Sequence, residues 1–292
     1  MVLDARSATG ISCLLTSPES LTPVESPLSL YEMDLEPPAF VTADATQFSV
    51  FYFDPAVLWR ELLAAVQRLN PMLHQMLLMQ VRNPEAGFDI QADIIEALGS
   101  RWVTYQPAEG ITGDPPLLNL AFTVDLRKPE ALESAFQTIL AQAGAGGPTT
   151  VEHEGRTIYR FPQTITEPGA PGMEPCVAFV DGHLLVAMNL ALAKSVISAG
   201  FEGSGPFAQS EKFRSLRPHV LRDAQMLAYS MANFSSQHQW DSARTSLQMT
   251  TGLTLPGWDV VSRYQSATLA AARWVDDGLL VETWQAHPGA TP

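Results

Sequence analysis

The sequence predicts an α+β fold, mainly antiparallel sheets with packed helices. Two observations lead there: short apolar runs joined by Asp-Gly or Glu-Gly pairs, and proline-started segments whose apolar residues lie three and four apart. Tight turns join neighbouring antiparallel strands, whereas parallel strands need long crossovers, so a doubly wound parallel sheet is disfavoured. With 46% hydrophobic and 16% charged residues, the 292-residue chain has globular composition. A chain of this size hides roughly three quarters of the surface its unfolded form exposes, and needs neither disulfide nor metal to stay folded.

Residues 1–40 form the first compositional unit. Pro18, Pro23, Pro27, Pro37 and Pro38 are spaced through Ser/Thr/Glu-rich sequence with no helical period, which reads as an extended arm separate from the core. Its apolar side chains Leu28, Leu30, Tyr31 and Met33 gain nothing from facing water, which makes them the candidate contacts for a protein partner. The globular region is then 41–292, divisible into lobes 41–145 and 146–292.

Within that region Gln47–Phe53 alternates as a strand, and Asp54-Pro55 supplies an N-cap with proline at the first helical position. Leu58, Leu62, Ala65, Val66 and Leu69 give the following helix a face expected to pack on that strand. A short helix over Asp93–Leu98 is expected to stop at Gly99, before a strand at Trp102–Tyr105. Leu117–Val124 reads as the next strand. Pro129 opens a helix with Leu132, Phe136, Ile139 and Leu140 inward, and Gly144–Pro148 breaks it. Hairpins are expected at Glu154-Gly155, Asp181-Gly182 and Asp277-Gly278, because a type I′ turn needs positive φ at both central residues.

The chain also echoes itself. Asp93–Ser100 and Asp259–Ser266 match in polarity at most positions, and a strand and helix precede each, Phe48–Leu69 and Met226–Met249. A strand-helix-helix-strand-strand unit occurring twice around a hairpin-rich middle accounts for this.

Gly87-Phe88-Asp89-Ile90, the run Asp93 to Gly99, Leu120–Asp125, Glu154–Tyr159 and Phe179–Ala187 together resemble a bacterial family of unknown function. Phe207–Phe213, Leu255–Trp258 and Asp276-Asp277-Gly278 extend the resemblance over roughly residues 40–286. It implies an exported or envelope-associated protein. The quoted motifs are turns, caps and core positions, so it implies no catalytic residues. The first residues lack the basic-then-apolar pattern of a signal peptide, and no apolar run reaches the roughly 18–20 residues of a membrane span.

Charge and motifs exclude several functions. Thirty-one acidic against 17 basic residues give a formal charge of −14 with no Lys/Arg run, which repels nucleic acid. Cys13 and Cys176 stand in no metal or redox spacing, and none of the six histidines has ligand spacing. Glu152-His153-Glu154 falls at a hairpin tip. Gly203-Ser204-Gly205 is too short for a nucleophile elbow, and Gly144–Thr150 lacks the lysine of a phosphate loop. Trp102, Trp258, Trp274 and Trp284 read mainly as core. No catalytic, metal or cofactor site emerges. The expected role is a non-enzymatic binding or scaffolding protein of a bacterial envelope or large assembly. The alternatives are a small-ligand binder with a cleft between pseudo-symmetric lobes and a hydrolase with dispersed catalytic residues.

Overall fold

The structure, a computed structural model, describes residues 2–4, 7–15, 33–81, 87–108, 119–143, 147–162, 174–220, 223–231, 237–261, 267–275 and 278–286. It is an α+β fold on one twelve-stranded sheet, antiparallel at every pairing. In chain order the strands are β1 (Val2–Asp4), β2 (Ser7–Leu15), β3 (Gln47–Tyr52), β4 (Leu98–Gln106), β5 (Ala121–Leu126), β6 (Thr149–His153) and β7 (Arg156–Arg160). They continue with β8 (Cys176–Val180), β9 (His183–Ala187), β10 (Met226–Met231), β11 (Ala267–Val275) and β12 (Gly278–Ala286). Across the sheet the order is β1-β2-β12-β11-β10-β3-β4-β5-β9-β8-β7-β6.

Alternation along the strands sorts side chains between two faces. One face carries Phe48, Val50, Val103, Tyr105, Leu185, Leu227 and Leu269 into a buried core. Helices α4 (Leu190–Ala199) and α5 (Glu211–Leu216) cover it through Leu192, Val196, Phe213 and Leu216. The opposite face holds Phe51, Phe122 and Trp102, whose ring centroid lies 5.2 Å from that of Phe122. Helix α3 (Pro129–Ala143) packs there, with Phe136 against Tyr159 and Phe179 at 5.1 and 5.4 Å.

The arm expected over residues 1–40 is corrected. Ser7–Leu15 is a strand paired along its whole length with β12, and Leu35, Phe40 and Val41 lie in the core, each under 5% exposed. Proline does not prevent this. Pro37 and Pro38 give up only amide donors, while the carbonyls of Pro37 and Pro38 accept from Gly205 and Val41 at 2.8 and 3.0 Å. Met33 packs against this chain's own core; Leu28, Leu30 and Tyr31 lie outside the described residues.

The hairpin at Asp181-Gly182 forms as expected, flanked by paired Val180 and His183 with φ of 48° and 78° at its centre. Glu154-Gly155 closes β6–β7 in the same way. At the third hairpin Val275 pairs with Gly278, so the glycine belongs to the strand; Asp277 lies outside the described residues. Gly99 likewise stands inside β4 rather than capping a helix, and its lack of a side chain makes room for the Asp125 carboxylate, which a Cβ would meet at 2.3 Å. The segment before it is a π-helical turn, Ile90–Ile95.

The two regions of the internal echo share one strand order, β3-β4-β5 and β10-β11-β12, extending outward from the β3–β10 pair. Phe48 and Leu227 are the second residues of two six-residue strands. Tyr105 and Ala271 stand at the same distance beyond Asp93 and Asp259. Phe48 pairs with Tyr105, and Leu227 with Ala271, so both alignments meet in one register. The helices that follow, α1 (Pro55–Leu69) and α6 (Gln237–Thr251), are both fifteen residues long.

Two buried groups make the core sensitive to alkali. Cys176 is a free thiol, pushed by burial from 9.0 to about 11, and burial lifts Tyr229 from 10.0 to about 12. A folded value above the unfolded one means stability that is complete below the unfolded value and lost as pH rises through the folded one. Each contribution, on the order of 3 kcal/mol, disappears over pH 9–11 for Cys176 and 10–12 for Tyr229. The Tyr229 hydroxyl is buried with no hydrogen-bond partner among the described residues. Tyr229→Phe is therefore expected to raise stability at pH 7 by about 1 kcal/mol and to flatten the alkaline fall, read from urea midpoints at pH 7 and 11. A destabilised variant would mean the hydroxyl has a partner.

Candidate functional site

The most distinctive surface is built on α1, α2 (Pro71–Val81) and the π-helical turn, three elements started by side-chain caps. Asp54 Oδ1 accepts from the Ala56 and Val57 amides at 3.0 and 3.3 Å and opens α1. Asn70 ends α1 and caps α2 through the Met72 and Leu73 amides, both at 3.1 Å, with Pro71 at the first helical position. Asp89 caps the π-helical turn through Gln91 and Ala92 at 2.8 and 2.9 Å, and its own amide donates to Asp93 at 2.8 Å.

Two adjacent residues after β5 tie these elements to the sheet. Arg127 grips Asp54 with both guanidinium NH groups, at 3.1 and 2.6 Å. Lys128 pairs with Glu96 at 3.1 Å. The Gln91 amide also donates to Glu96 at 3.1 Å, and these hydrogen bonds, Gln91 first, hold that carboxyl below its usual value. Between the three elements lies a half-open cavity of about 480 Å³. Its apolar wall is Ala56, Trp59, Leu63 and Ala64; its polar lining is Arg60, Gln67, His74, Gln91 and Glu96.

Outside the cavity the same helices turn apolar side chains to water. Leu58, Leu62 and Leu69 of α1 are 50%, 47% and 87% exposed, and Met72, Met76 and Met79 of α2 are 75%, 50% and 68% exposed. The α1 face expected to pack on its strand is thus the outer one. Trp59 and Leu63 share the cavity side instead, so the helix is apolar around most of its circumference and spacing alone does not select a face. On α3, Ile139 likewise points outward at 40% exposure while Leu132 and Ala135 are buried. α2 was not read from the sequence. Its signal is composition: Pro71–Val81 holds three Met, three Leu and no Asp, Glu, Lys or Arg in a chain of charge −14. α6 also leaves Leu247 and Met249 exposed, at 46% and 84%.

The structure gathers one further set of reactive types. Ser198, near the end of α4, lies 2.8 Å from His153 Nε2 and donates to Glu154 at 2.5 Å. In a nucleophile-base-acid triad the acid holds the far ring nitrogen of the histidine. Here Glu154 is 3.7 Å from the same Nε2 and accepts the serine hydroxyl's hydrogen bond itself, so the contact ties the hairpin to α4 and is not the triad arrangement. His183 stacks on Phe201 at 4.6 Å and His219 on Trp284 at 4.0 Å. No three His, Cys, Asp or Glu side chains among the described residues form a metal-ligand group, and no helix there is long and apolar enough to cross a membrane. Comparison with protein-family models, curated proteins and solved structures gives no match. The family resemblance is carried by the quoted motifs alone.

Proposed function

We propose that the protein is a non-enzymatic binding or scaffolding protein that engages a macromolecular partner through the exposed apolar surface of α1 and α2. The observation that carries this reading is the cluster of Leu58, Leu62, Leu69, Met72, Met76 and Met79 in water on two adjoining helices, the second free of charged side chains. Large apolar side chains left in water on two adjoining helices point to an interaction surface more than a single exposed residue does. Methionine suits a docking face because its unbranched, polarisable side chain adapts to the surface it meets. The recurring strand order and register support a duplicated unit, with α6 and its exposed Leu247 and Met249 as the second contact arm. The motif resemblance supports a role at a bacterial envelope or in a large assembly. The docking contacts are thus sought on α1 and α2 rather than at the arm residues named from sequence.

The test is quantitative isolation of complexes from the native source with wild type and with Met76→Glu/Met79→Glu. Both positions are exposed, so the melting temperature should stay within about 2 °C, while two buried charges at an interface should cut partner recovery at least tenfold. Undiminished recovery by the double variant sinks the proposal.

A further inference from the structure

The cavity between α1, α2 and the π-helical turn has a lining that selects one ligand chemistry. Its volume of about 480 Å³ lies within the roughly 300–1,000 Å³ of small-molecule sites, and its wall of Trp59, Leu63 and two alanines suits an apolar body. Among the polar groups Glu96 is already satisfied, by the Gln91 amide and by Lys128, both at 3.1 Å. Arg60 and His74 remain as donors. Arg60, its side chain 71% exposed, pairs with its neighbour Glu61 at 3.9 Å, a contact too long and too wet to occupy the guanidinium. In an otherwise strongly acidic chain, Arg60 sets a positive charge on this rim, while Gln67 and His74 can each donate or accept.

We infer that this cavity binds a small amphiphilic carboxylate, its apolar body against Trp59 and Leu63 and its carboxylate on Arg60, with His74 alongside. A guanidinium matches a carboxylate with two parallel hydrogen bonds. Glu96 on the same rim repels a second negative charge, which favours a monoanion over a phosphate. The π-helical turn contributes Gln91, and such irregular turns recur where helices form functional sites. This inference is independent of the docking surface, whose methionines lie outside the cavity lining.

Calorimetric titration with octanoate, octan-1-ol and octylammonium tests it. Octanoate should bind more tightly than octanol, and octylammonium should not bind. Arg60→Gln, exposed and so harmless to folding, should weaken octanoate at least about tenfold, the usual effect of losing a charge-assisted hydrogen bond. Met76→Glu/Met79→Glu should bind octanoate like wild type, which separates this site from the docking face. Octylammonium binding as well as octanoate, an unchanged affinity in Arg60→Gln, or no octanoate binding at millimolar concentration would each overturn the proposal.

Discussion

Gly205→Ala is expected to lower the unfolding free energy by about 3 kcal/mol or more, the cost of overpacking together with lost backbone hydrogen bonds. A Cβ at this position would sit 2.2 Å from the Pro38 carbonyl oxygen and 2.8 Å from that of Val41. Both obstacles are backbone and cannot swing aside. Pro38 bridges to Ser204, the Gly205 amide donates to the Pro37 carbonyl at 2.8 Å, and the Phe207 amide donates to the Val41 carbonyl at 3.2 Å. Making room for one methyl group therefore breaks the seam that holds residues 37–41 against the sheet, and with it the burial of Phe40 and Val41, now 3% and 0% exposed. At roughly 2 °C per kcal/mol for a chain this large, the melting temperature should fall by about 6 °C. Thermal and urea unfolding measure both quantities. A loss below about 1 kcal/mol would mean that residues 37–41 are not packed as described and that the independent arm is the better description.

Asp54→Ala should cost about 3 kcal/mol and Asp54→Asn about 2, because the side chain does two separable jobs. Its carboxylate is 4% exposed, starts α1 through two amides, and neutralises Arg127 through two hydrogen bonds. Asparagine keeps an oxygen for the cap, worth about 1 kcal/mol, but removes the Asp54 charge from beside the guanidinium. Breaking a fully buried pair costs roughly 3–5 kcal/mol. Arg127 retains 35% of its side-chain exposure, so water recovers part of that and the lower figures follow. Hydrogen exchange should report faster opening of α1 in both variants, more so in the alanine form. Equal destabilisation by Ala and Asn would mean that the cap contributes nothing.

Local chemistry was legible wherever a few neighbouring residues decide the backbone. Asp181-Gly182 specified its turn because positive φ is a property of the turn itself. Asp54-Pro55 and Pro129 opened helices where expected, since cap and proline act within one turn. The echo of Asp93 in Asp259 lay in polarity pattern, and it runs parallel to a shared strand order. The candidate site was less legible. Its cavity joins Arg60, His74 and Glu96 from three elements, and no spacing in the chain records that they meet.

By itself, then, the sequence determined the α+β class, the hairpins, the main caps and the acidic, motif-poor character of the chain. Only the tertiary structure decided which face each apolar stripe turns inward. Leu58 and Leu62 point to water because Trp59 and Leu63, one residue on, take the inner side of the same apolar helix. It also decided that Leu35 to Val41 belong to the core, since proline-rich sequence fixes backbone angles but not what the chain lies against. Gly99 and Gly205 carry the same lesson. Each reads as punctuation in the sequence, yet each is required by an atom far along the chain, the Asp125 carboxylate and the Pro38 carbonyl, standing where a methyl group would go.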